Sequence, residues 1–113
     1  MNKVVRGKSV EVQFTLKYKD TGTAIDLTSV TEITVLVRDK IKLDTLFEKT
    51  KTAGEIRVVT AVSGICSMYV NGVDTEDALR GEYEYIATID TPNEYFDDSD
   101  ADFAGYGDIF ELV

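Results

Sequence analysis

Val10 to Tyr18 reads VEVQFTLKY and Glu82 to Asp90 reads EYEYIATID. Both alternate apolar and polar residues strictly, which is the period of a strand with one buried face. In the first, Val10, Val12, Phe14, Leu16 and Tyr18 share a face, with Glu11, Gln13, Thr15 and Lys17 opposite. In the second, Tyr83, Tyr85, Ala87 and Ile89 point inward and Glu82, Glu84, Ile86 and Thr88 outward. A helix of period 3.6 would scatter both sets around its axis.

Further strands are expected along the chain. Ile33 to Arg38 places Ile33, Val35 and Val37 on one face and Leu36 on the other. Leu46 to Lys51 and Ile56 to Val62 are weaker strand patterns. After a turn at Gly64, Ile65 to Val70 turns Cys66, Met68 and Val70 inward and Ser67 and Tyr69 outward. Asp108 to Val113 closes the chain. Lys19 to Gly22 (KDTG) has turn chemistry, and Ile25 and Leu27 dip into the core as the chain crosses over. Asp74 or Thr75 caps a single helical turn through Leu79. The sole proline, Pro92, falls in the connection before the last strand, where its missing N–H harms no ladder.

Short strands about ten residues apart, separated by turn signals, predict an all-β fold: one Ig-like antiparallel β-sandwich of roughly seven strands, spanning residues 1–113 as a single domain. A chain of 113 residues buries roughly two-thirds of its unfolded surface, enough for a core of its own. Leu79-Arg80-Gly81-Glu82-Tyr83 fits either a tyrosine corner, where the phenol bonds back to upstream backbone, or an ordinary core tyrosine.

Composition narrows the chemistry. The net charge is −9, which repels phosphate backbones and argues against nucleic acid as a partner. Lysines and arginines gather between Arg38 and Lys51, but acids interleave them, and a solvated strand-and-loop face is the expected reading. No apolar run is long enough to span a bilayer, so no membrane association is expected. The opening MNKVVRGKSV lacks the apolar stretch of a secretory signal, which points to function or assembly in a cytoplasm. Cys66 is the single cysteine and reads as a small buried hydrophobe. The chain has no histidine, which removes histidine-based triads and histidine-ligated metals. No glycine-rich phosphate loop is present. The expectation is a non-enzyme without cofactors.

Tyr95 to Gly107 (YFDDSDADFAGYG) is read as a long acidic loop. Asp98, Asp100 and Asp102 have the first three spacings of an EF-hand, but Phe103 stands where its glycine belongs and Ile109 where its bidentate glutamate belongs. A looser calcium site on these aspartates and a sugar site on Tyr95, Phe96, Phe103 and Tyr106 are alternatives to solvated aspartates with one or two packed aromatics.

RGKSVEVQFTLKYKDTGTAIDLTSVTEITVLVRDK resembles the opening of the small Ig-like domains of phage tail and baseplate proteins, nearest to the N-terminal domain of siphophage baseplate upper proteins. Ile25-Asp26-Leu27-Thr28 matches that pattern; Lys8 after Arg6-Gly7 departs from its usual acidic residue. GICSMYVNGVDTEDALRGEYEYIATID resembles the second half, with Gly-x-Tyr-x-Tyr leading into a long strand. The resemblance omits Asp39 to Gly54 and Tyr95 to Gly107. It implies a virion structural subunit on baseplate, tail, neck or capsid. Such a subunit is assembled in the bacterial host and docks to other virion proteins in symmetric multiple copies. The interface residues expected are Leu36, Tyr69, Ile86, Phe103 and Tyr106. A carbohydrate- or calcium-binding module of a surface protein is the alternative.

Overall fold

The computed structural model describes residues 2–18, 21–92 and 99–113, with side chains described at all of these except 92, 99–104 and 106. Eight strands and one helical turn follow in order: β1 (Asn2–Val4), β2 (Val10–Thr15), β3 (Glu32–Asp39), β4 (Thr45–Thr50), β5 (Ile56–Thr60), β6 (Ile65–Val70), α1 (Gly72–Thr75), β7 (Gly81–Pro92) and β8 (Ser99–Leu112). They form a five-stranded sheet, β1-β8-β7-β3-β4, and a three-stranded sheet, β2-β6-β5. This is the connectivity of an Ig-like sandwich whose CFG sheet, β8-β7-β3, carries an additional strand at each edge, β1 and β4. The prediction of a purely antiparallel sandwich of seven strands is corrected at one edge, where β1 lies parallel to β8.

The core comes from the faces that alternation predicts. Ile33, Val35, Val37, Tyr83, Tyr85, Ala87 and Ile89 of the larger sheet, and Val12, Phe14, Cys66, Met68 and Val70 of the smaller, are buried. Ile25 and Leu27 are buried anchors, as expected. Asp26 between them accepts hydrogen bonds from the Thr28 amide and hydroxyl, which gives the Asp-Leu-Thr turn its shape. Gly64 has a positive φ of 69°, and a Cβ there would lie 2.7 Å from the Leu16 carbonyl oxygen. The turn before β6 therefore requires glycine.

Several predicted details are corrected. β2 runs from Val10 to Thr15, and Val10 at its start and Tyr18 beyond its end, placed inward by alternation, are exposed. The chain has already turned back there: Tyr18 donates to the Thr23 carbonyl. Ser67 and Glu84, placed outward, are nonetheless buried. Ser67 sits on the central strand of its sheet, between Gln13 of β2 and Arg57 of β5, and Arg57 pairs with Glu11 at 2.7 Å. Glu84 is covered by Arg38, 2.9 Å away. The strand pattern at residues 46–51 resolves as β4 one residue earlier, and that at 56–62 as β5, which starts at Ile56 and ends at Thr60. The helical turn begins at Gly72 with Asn71 as its cap, ahead of the predicted Asp74 or Thr75. Thr75 is instead wholly buried, and its Oγ1 accepts the Gly7 amide at 2.9 Å. That bond docks the Arg6-Gly7 turn onto α1.

The largest correction concerns the C-terminal third. β8 starts at Ser99, not Asp108, and Pro92 ends β7 paired with Ser99. Most of the predicted acidic loop is thus backbone ladder. Lys19, Asp20, Tyr95, Phe96 and Asp98 lie outside the described residues.

Candidate functional site

At the connection between the sheets, the Tyr83 hydroxyl donates to the Leu79 carbonyl at 2.8 Å. Tyr83 stands near the start of β7, just after the crossover from β6, so the tyrosine corner is the reading that holds. Tyr85, two residues further on, packs against Phe14 of β2 with ring centroids 5.6 Å apart. This aromatic pair bridges the sheets where antibody domains place a disulfide. Cys66 lies in the same layer, fully buried, and burial pushes its thiol up to about 11. It behaves as a packing residue, not a nucleophile.

The outer face of the five-stranded sheet is built by the residues that alternate away from this core. Leu36 and Ile86 are cross-strand partners in the β3–β7 register, and the backbone of Tyr106 is the next partner across β8. Both aliphatic side chains are half-buried. The backbone of Phe103 pairs with Thr88 in a nearby rung. Three of the predicted interface residues thus share one rung, and the fourth lies close to it. The side chains of Phe103 and Tyr106, like those of Asp100 and Asp102, lie outside the described set. Tyr69 does not join this group. It is exposed on the opposite sheet, beside Arg57 and Glu11.

Charge surrounds the aliphatic pair. Arg38 and Glu84 form the adjoining rung at 2.9 Å. Lys40 reaches Asp108 at 2.8 Å and Glu82 at 3.8 Å, and the Asp108 carboxylate raises the Lys40 ammonium above its ordinary value. Arg38, Lys40 and Lys49 of the basic segment are therefore each paired with a carboxylate. Lys49 departs furthest from the solvated-face expectation, because it is buried.

Sequence reasoning missed the β3–β4 turn. Ile41 is 90% exposed at its apex and Leu43 is exposed beside it. Leu43 has a φ of 63°, the only positive value at a non-glycine residue among those described. L-residues adopt that region at a cost, and such outliers concentrate at functional positions. The turn is held rigidly. The Asp39 carboxylate accepts from the amides of Ile41 and Lys42 at 2.9 and 2.8 Å, bonds that hold its carboxyl below the ordinary range. A groove of about 300 Å³ separates the turn from Leu79, itself exposed. Two apolar residues between the aspartates of DKIKLD were the available signal.

Among the described residues no cluster of three or more metal-ligating side chains is present. No protein-family model matches the chain, and no curated protein is found to be similar to it.

Proposed function

We propose that this chain is a phage virion structural subunit that acts by docking to other virion proteins. Its docking surface is the outer face of the five-stranded sheet together with the β3–β4 turn. The observation that carries this reading is the Leu36–Ile86 rung, extended by the Tyr106 backbone and framed by the Arg38–Glu84 pair. An apolar centre with a polar, solvated rim is the anatomy of a protein interface. The rigid turn adds a preformed apolar knob, and preorganised contacts lose less entropy on binding.

The likeness of the sequence to Ig-like phage baseplate domains supports the virion setting, and the charge of −9 supports specific over indiscriminate association. Partners bury the outer face, and the domain acts on no substrate. Proteomic analysis of purified particles from the encoding phage tests the reading. The chain is expected in several copies per particle, and its absence from intact particles contradicts the proposal.

A further inference from the structure

We propose that Lys49 and Asp74 are joined by an intramolecular amide that the domain forms by itself, with Glu55 carrying the protons. Lys49 lies on β4 and points into the sandwich, with only 5% of its side chain exposed. Its Nζ is 2.8 Å from Asp74 Oδ2 and 3.3 Å from Glu55 Oε2. The Phe47 ring lies 5.3 Å from the same nitrogen and shields it. A lysine amine withdrawn from water can act as a nucleophile, and this one stands 2.8 Å from an oxygen of the carboxyl group it would attack.

The other parts of an amide-forming site are present. The Asn71 amide donates to Asp74 Oδ2 at 2.8 Å. That bond fixes the carboxyl group and stabilises the negative charge that develops on it during attack. Glu55 Oε2 contacts the amine at 3.3 Å, the position a general acid–base requires, while its Oε1 accepts from the Thr50 amide. Its side chain is 36% exposed, so the displaced water has a route to solvent. Asp74 is held in α1 and Lys49 in β4, so the two reactants are brought together by the fold itself. Well-oriented groups of this kind reach effective molarities of about 10⁵ M or more.

The step balances without an oxidant or a co-reactant. Glu55 takes a proton from the Lys49 ammonium, and the freed lone pair forms a bond to Asp74 Cγ. The Cγ–O bond then breaks. The oxygen leaves as water with two of the three ammonium protons, passed on by Glu55, which ends as a carboxylate. The third proton stays on the amide nitrogen.

The bond ties the five-stranded sheet to the corner that follows β6, and so links the two sheets. A chain with a single cysteine has no internal disulfide for this purpose. The inference rests on local geometry and is independent of the docking reading.

Intact mass spectrometry of the purified folded protein tests it. The expected mass is lighter than the sequence mass by one water, with a proteolytic fragment linking Lys49 to Asp74. Lys49→Arg and Glu55→Gln, each checked by circular dichroism for a folded β spectrum, are expected at their full sequence masses. A wild-type protein at full mass means an ion pair only, and overturns the proposal. A water loss mapped elsewhere, such as a cyclised aspartate, overturns it equally.

Discussion

Tyr83 shows how one side chain fixes a connection. Its ring packs on Phe110 in the core, with centroids 5.6 Å apart, while its hydroxyl holds the Leu79 carbonyl. Burial and the nearby Asp39 charge raise its phenol above the ordinary value, so it stays a neutral donor across the physiological range. Tyr83→Phe keeps the packing and loses the bond. It is expected to destabilise by about 0.5–1.5 kcal/mol in denaturant melts. Turn carboxylates act at the same scale. Asp26 is lowered by the Thr28 hydroxyl and amide, and Asp39 by the Lys42 and Ile41 amides. Their folded values lie below the unfolded ones. Between the two values the unfolded chain binds more protons, so stability is full above the unfolded carboxylate value of about 3.9 and falls as pH drops below it. Denaturant melts from pH 7 to pH 3 are expected to show this acid limb. Asp26→Asn and Asp39→Asn together are expected to flatten it. A limb unchanged in the double variant would assign it to other carboxylates.

Among the elements, β8 separates what the residues reveal from what they conceal. β2, β3, β6 and β7 carry their buried faces openly, because alternation survives wherever each strand residue has one partner. In β8 it does not. The register with β7 shifts between Tyr83 and Glu84 and again between Ala87 and Thr88. Each bulge adds a residue and flips the face that follows. The inward positions opposite Tyr85 and Ala87 are Gly107 and Gly105, which carry no apolar signal. A strand with two bulges and glycine at core positions reads as a loop. Gly107 is small for a packing reason: a Cβ there would stand 3.3 Å from the Tyr85 ring. Gly107→Val is therefore expected to cost about 1–3 kcal/mol through overpacking. Tyr69→Ala, on an exposed position of the other sheet, is expected to change stability by less than about 0.5 kcal/mol. Equal effects in thermal melts would contradict this register. The site was legible to the same degree. Leu36 and Ile86 stand out as apolar residues on polar faces, whereas their adjacency depends on the pairing of β3 with β7, a long-range contact no local pattern encodes. Ile41 and Leu43 escaped because turns are read for glycine, proline and aspartate, not for apolar residues held in an unfavourable φ.

The whole molecule is an acidic sandwich whose two outer faces differ. The three-stranded sheet presents Glu11, Arg57 and Tyr69, with Val59 exposed on its edge strand β5. The five-stranded sheet presents the Leu36–Ile86 rung and the rigid turn at Ile41. With a charge of −9, the proposed attachment would depend on such local apolar contact and not on general attraction. A stable attachment buries at least about 1,000 Å² in total. Occupancy of purified virions carrying variants of this chain tests the account most directly. Leu36→Asp with Ile86→Asp is expected to remove the subunit from particles while the free domain keeps its β spectrum. Tyr69→Ser, on the other sheet, is expected to leave occupancy unchanged. Loss of occupancy with Tyr69→Ser and full occupancy with the double variant would place the docking surface on the opposite face and contradict the account.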